Sequence, residues 1–191
     1  MRLCQNIDSK PLPGGLVLLQ KLNSIIIGVS KMNTHFSIKS ALIAGILATA
    51  AMTAFTFMAP LMGFEMDIPK MLAATMGVPL IVGWIAHFMI GEILAINFAL
   101  IFLKQTNKTA DLKSGALFGL IPWFIAQVMV MPMMSMLNGG SFSAGLFSGS
   151  IMIAMASLVG HIIYGAILGE VYKPELVTAK AELNGGYYEI K

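Results

Sequence analysis

Apolar residues gather into four blocks, Ile38–Met62, Pro79–Leu103, Ser114–Leu137 and Ser150–Tyr172, and most of the charges fall outside them, in the connections and the two terminal segments. Each block matches the roughly 20 residues a helix needs to cross about 30 Å of hydrocarbon. Thr49, Thr53 and Thr56 are tolerable in the first block because a hydroxyl can bond back to a carbonyl of its own helix. Pro122 and Pro132 lie inside the third, which is expected to kink without dividing. The pattern predicts an all-α membrane protein with four transmembrane helices.

The connections differ in kind. Gly63–Val78 contains Asp67-Ile68-Pro69, an N-cap acceptor followed by a first-turn proline, and this predicts a short interfacial helix over Ile68–Met76. Asn138–Gly149 is rich in glycine and serine, uncharged, and expected to be a loop. Leu16–Val29 is apolar but too short to span, and no cleavage site of a secretory leader follows it. Residues 1–35 are therefore expected to form an N-terminal arm, with Met32 a candidate true start, and residues 174–191 a tail.

Charge sets the expected orientation. Lys21, Lys31 and Lys39 lie before or at the very start of the first span and Lys104, Lys108 and Lys113 between the second and third, whereas the other two connections contain Lys70 alone. By the positive-inside rule both termini are cytoplasmic, and Glu65 and Asp67 belong to an outer loop. Composition agrees with membrane residence: 57% of residues are hydrophobic and 11% charged, against about 25% charged in a soluble domain. The net charge of +3 reflects topology, and no nucleic-acid face forms. Cys4 is the only cysteine, so no intramolecular disulfide can form.

One register shift lays Lys39-Ser40 on Lys113-Ser114, Gly45 on Gly119, His87 on His161, Gly91 on Gly165 and Ile93-Leu94 on Ile167-Leu168. Two histidines coincide inside a shared His-x-x-x-Gly-x-Ile-Leu string. This suggests two tandem helical hairpins related by a pseudo-twofold axis along the membrane normal. Gly83, His87, Gly91 and Ala95 recur every fourth residue in span two, as do Ser157, His161, Gly165 and Gly169 in span four. Small residues at this spacing let helix backbones approach closely in lipid, so spans two and four are expected to form the central contact.

His87, Glu92, Gln127 and His161 are the polar candidates at membrane depth. An acidic group near mid-span costs about 2.5–3.5 kcal/mol on insertion scales and marks a functional site by default. Glu92 lies five residues from His87 and so points about 140° away, which makes Gln127 or His161 its expected partner. In a packing role each imidazole would bond a carbonyl, a threonine or the other helix. Gln127, Asn97 and the span-one threonines read as interhelical hydrogen-bond glue, and Trp84 and Trp123 as packing or interface anchors. Methionines crowd the end of span three at Met129, Met131, Met133, Met134 and Met136. Thioethers favour Cu(I) but also serve as flexible apolar filler. No phosphate loop, nucleophile constellation or carboxylate pair supports an enzyme.

The strings Ala59-Pro60-Leu61-Met62-Gly63, Met66-Asp67-Ile68-Pro69-Lys70, Gly83-Trp84-Ile85-Ala86-His87-Phe88, Pro122-Trp123-Phe124-Ile125-Ala126-Gln127 and Gly160-His161-Ile162-Ile163-Tyr164-Gly165 resemble a family of small bacterial four-helix inner-membrane proteins of unknown function. The resemblance spans about Ile38–Tyr172 and implies a bacterial cytoplasmic membrane. It places Asp67, Trp84, His87, Gln127 and His161 at motif positions and carries no activity.

Three functions fit the residues. The leading one is a structural or accessory component whose partners are the bilayer and a second copy or a larger membrane complex, without a cofactor. A proton-linked carrier, oligomeric because four spans are few, would use Glu92, His87 and His161. A b-type haem or Cu(I) protein would take His87 and His161 as its ligands.

Overall fold

The computed structural model describes residues 34–176, 181–183 and 186–188. Two compact units divide the chain, residues 36–175 and the two terminal segments 1–35 and 176–191. In the terminal unit Ala181–Leu183 pairs antiparallel with Gly186–Tyr188. Thr34–His35 and Glu175–Leu176 are two-residue extended segments. The proposed start at Met32 and most of the N-terminal arm lie outside the described residues.

Residues 36–175 are built from helices. They comprise α1 (Ile38–Thr56), α2 (Ile68–Met76), α3 (Leu80–Thr106), α4 (Leu112–Leu137), the single turn α5 (Phe142–Gly145) and α6 (Ile151–Val171). A 3-10 turn at Ala59–Met62 prolongs α1. The α1 region, α3, α4 and α6 are each long and apolar enough to cross a membrane. Asp67 Oδ1 accepts the Lys70 N–H at 2.9 Å, Pro69 occupies the first turn, and Gly77 in the left-handed conformation stops α2. A capping box between Asp111 and Ser114 starts α4 two residues before the apolar block does. The expected loop at Asn138–Gly149 contains α5 and a tight turn with Phe147 and Ser148 at positive φ, which is a correction. A single turn capped by the Ser141 hydroxyl is too short to leave a periodic signal.

Both long central helices loosen locally. A π-turn at Ala126–Val130 precedes Pro132, whose ring would collide with the carbonyl of Val128 in a regular helix. The π-turn at Phe98–Phe102 contains no proline. There Phe98 and Phe102 pack at an angle against Phe118, at ring separations of 5.2 and 5.3 Å. Tyr172 closes the same cluster, 6.2 Å from Phe98.

Packing sorts side chains by size. In α1 the buried positions are Ala41, Ala44, Gly45, Ala48, Thr49, Thr53 and Thr56, while Leu42, Ile43, Ile46 and Leu47 face outward. Lipid solvates large aliphatic side chains as well as a protein interior does, so close backbone contact decides which face turns inward.

The central contact differs from expectation. The small residues of α3 meet their own hairpin: a Cβ on Gly83 would strike Ala73 and the Pro69 carbonyl, and one on Gly91 would strike Thr49 Oγ1. Likewise Gly165 and Gly169 in α6 lie against Gly115 in α4. A four-residue repeat identifies a face able to approach another helix but not which helix it meets. The structure joins α3 to α6 through a larger group, Tyr164, whose hydroxyl donates to the Gly91 carbonyl at 2.6 Å. Ser37 N–H bonds to Tyr172 Oη at 3.4 Å, and Lys173 N–H to Ser40 Oγ at 2.7 Å. The start of α1 and the end of α6 therefore share one end of the bundle, and α2 lies at the other.

Candidate functional site

A cavity of about 720 Å³ opens among α1, α2, α3, α4 and α6. Glu65, Asp67 and Lys70 stand where it borders α2, and the Lys70–Glu65 ion pair there is long, 4.0 Å, and exposed. Most of the wall is apolar, with Met52, Ile90, Leu94, Ile125 and Ile153 among its residues. The aromatic cluster of Phe98, Phe102, Phe118 and Tyr172 contributes nothing to the wall.

The polar part of the wall comes from every long helix. α3 supplies His87, whose Nε2 lies 2.9 Å from Thr53 Oγ1 of α1; that hydroxyl also donates to the Thr49 carbonyl at 2.7 Å. His161 of α6 places Nδ1 2.8 Å from the Ser157 carbonyl one turn earlier in its own helix. Gln127, 1% exposed, projects from the π-turn of α4. Its Nε2 donates to Ser157 Oγ at 3.3 Å, and its Oε1 accepts from the Ser148 hydroxyl at 2.8 Å. Tyr164 and Thr49 complete the set. Thr49 is 2% exposed, and its hydroxyl has no partner among the described residues.

His87, Gln127 and His161 thus converge on one space, and Ser157, expected only as part of a packing face, joins them. Glu92 does not. Its carboxyl lies against Gly45, with Oε1 2.8 Å from where a Cβ there would sit, and neither oxygen has a hydrogen-bond partner among the described residues. The expected pairing with Gln127 or His161 is corrected: the angular offset that turns Glu92 away from His87 also turns it away from the cavity and toward α1. Asn97 bonds the Ile93 carbonyl of its own helix rather than another helix. Trp123 bridges to α6 by donating to the Ala154 carbonyl at 3.0 Å. Met129, Met133 and Met136 are exposed while Met134 is buried, so the methionines at the end of α4 point in several directions. Among the described residues no group of three or more His, Cys, Asp or Glu side chains comes together around a metal position.

Sequence reasoning missed Ser148, Thr49 and Tyr164 as wall residues. Ser148 reaches Gln127 only because the turn after α5 adopts positive φ. Tyr164 follows His161 at helical i+3 spacing, a weak signal that was available.

Four apolar helices around a partly polar internal cavity define a small polytopic helical membrane protein. Residues 36–180 match the family described as a family of unknown function, DUF6789, and the chain belongs to that family. No curated protein and no solved structure matches it.

Proposed function

We propose that this chain is a membrane protein that binds a small, largely apolar molecule in the cavity between its helices. The observation that carries the proposal is the convergence of His87, Gln127, Ser148, Ser157, His161 and Tyr164 on one space of about 720 Å³. Ligand sites are concave, mostly apolar, about 300–1,000 Å³ in size and supplied with a few converging polar groups. Polar residues that served helix packing alone would pair across closed interfaces instead of lining a shared space.

Two further features fit the proposal. The register shift that superimposes His87 on His161 also lays α2 on the α5 turn region, which supports two tandem hairpins, each lending one histidine to the site. The lysine distribution favours cytoplasmic termini, so the cavity would open toward the outer side of a bacterial cytoplasmic membrane. A carrier is the second reading, favoured by Glu92, whose carboxyl lies against Gly45 and has no hydrogen-bond partner among the described residues. A bis-histidine haem is disfavoured because His87 commits Nε2 to Thr53, and Nδ1, close to its own backbone, is a poor position for a porphyrin iron.

The test is native mass spectrometry of the protein released from its own membranes, compared with Ile153→Trp, which adds bulk at an apolar residue of the wall. A small molecule retained by the native chain and lost from a folded I153W supports binding. Equal retention by both, or none by either, refutes it. An absorption spectrum of the same sample reports any haem directly.

A further inference from the structure

The hydrogen-bond pattern around the two histidines fixes which ring nitrogen carries hydrogen in the neutral form. Thr53 Oγ1 has one hydrogen and two close neighbours, the Thr49 carbonyl and His87 Nε2. A carbonyl cannot donate, so the hydroxyl gives its hydrogen to Thr49 and receives N–H from His87 Nε2. Neutral imidazole has a single N–H, which leaves His87 Nδ1 a bare acceptor. At His161 the Ser157 carbonyl, 2.8 Å from Nδ1, is closer than Ser157 Oγ at 3.4 Å, so Nδ1 carries the hydrogen and Nε2 is bare. Both rings are thus oriented by a backbone carbonyl, directly or through one hydroxyl, before any ligand arrives.

Neither bare nitrogen has a partner among the described residues. Among the described residues the side-chain polar atoms sealed from solvent without a partner are Thr49 Oγ1 and the Glu92 oxygens, and neither bare nitrogen is one of them. Each bare nitrogen therefore keeps some accessible surface, and both rings line the cavity. Two donors nearby are already engaged: Tyr164 Oη gives its hydrogen to the Gly91 carbonyl and Ser148 Oγ to Gln127 Oε1. Gln127 Nε2 bonds Ser157 and retains its second N–H. Ser157 Oγ accepts from Gln127 Nε2 and keeps its own hydrogen, so around the histidines the wall offers two acceptors beside a hydroxyl and an amide donor.

We propose that the molecule bound here ends in a hydroxyl group, aliphatic or phenolic, which donates to a bare histidine nitrogen and accepts the free Gln127 N–H. A hydroxyl both donates and accepts, as this wall requires; an ammonium group cannot accept, and a ketone or ether cannot donate. The rest of the wall suits an apolar body. This inference rests on the cavity being a ligand site at all.

The test uses the full chain with ¹⁵N-labelled imidazoles in phosphatidylcholine nanodiscs and two probes of nearly equal size, 4-heptylphenol and its methyl ether 4-heptylanisole. The phenol should bind about tenfold more tightly than the ether and should shift the resonance of a bare histidine nitrogen. The ether should shift none. His161→Phe, or His87→Gln where that variant folds better, should bring the two affinities within about twofold. Equal binding of both probes by the native chain, abolished by I153W, would overturn the hydroxyl inference and leave the cavity proposal standing. Binding of neither would overturn both. Shifts of both bare nitrogens with one equivalent of Cu(I), and none with the phenol, would replace the inference with a soft-metal site.

Discussion

Thr53 is the residue on which the orientation of His87 depends, because its single hydroxyl links that ring to the Thr49 carbonyl. Thr53→Val keeps the shape and removes both bonds, leaving a buried N–H without a partner. It is expected to lower stability by about 1–3 kcal/mol, while Thr53→Ser keeps most of it, as measured by reversible unfolding in mixed micelles. Asp111 gives a pH dependence. Its carboxyl is held below the usual carboxylate range, first by the Ser114 backbone N–H and then by the Ser114 side chain. A depressed folded-state pKa means that the cap's stabilisation is present above the ordinary aspartate pKa and is lost as pH falls through the lower, folded value. Hydrogen-exchange protection at Ser114 and Gly115 should therefore drop across that acidic window. Asp111→Asn should remove the pH dependence, and an unchanged profile in that variant would count against the capping assignment.

Glycines in α6 should differ sharply in their tolerance of a methyl group. A Cβ on Gly165 would collide with the Gly115 carbonyl and the Gly119 nitrogen, backbone atoms that cannot rotate away. On Gly160 it would meet nothing nearer than the Met52 side chain at 3.6 Å. Gly165→Ala is expected to destabilise by about 1–3 kcal/mol, whereas Gly160→Ala should be neutral or gain up to about 1 kcal/mol from helix propensity. Thermal unfolding of the two variants side by side checks the α4–α6 contact, and equal effects would sink it. At α2, Asp67→Ala removes the N-cap acceptor and should cost about 1 kcal/mol, seen as faster exchange in the first turn of that helix.

Orientation belongs to the whole molecule, because no local geometry reveals which end of the bundle faces the cytoplasm. In a Cys4→Ser background, Lys70→Cys should react with a membrane-impermeant maleimide added to intact cells, and Lys108→Cys should react only after lysis. Reversed labelling would invert the bundle and open the cavity to the cytoplasm. The ends of the unit already meet through Ser37, Ser40, Tyr172 and Lys173, so labelling at one end orients all four long helices.

Much of this architecture was legible in the chain. Length and hydropathy mark the four long helices, since crossing hydrocarbon sets a minimum apolar length, and Asp67 with Pro69 marks α2 because a helix start has its own chemistry. The two histidines stood out through a repeated string. Partner choice was not legible: the same glycine spacing serves any neighbour, so only the packed bundle decided that α3 meets α1 and that α6 meets α4. Nor was the wall around the histidines, where Ser148 depends on a left-handed turn and Gln127 on a π-turn. Glu92 faces Gly45 rather than the site for the same kind of reason. Burial in lipid and capping act within one segment, so the four long helices and the start of α2 follow from the chain alone. Tertiary structure decided which polar groups share a space, because that depends on the rotation of each helix against its neighbours.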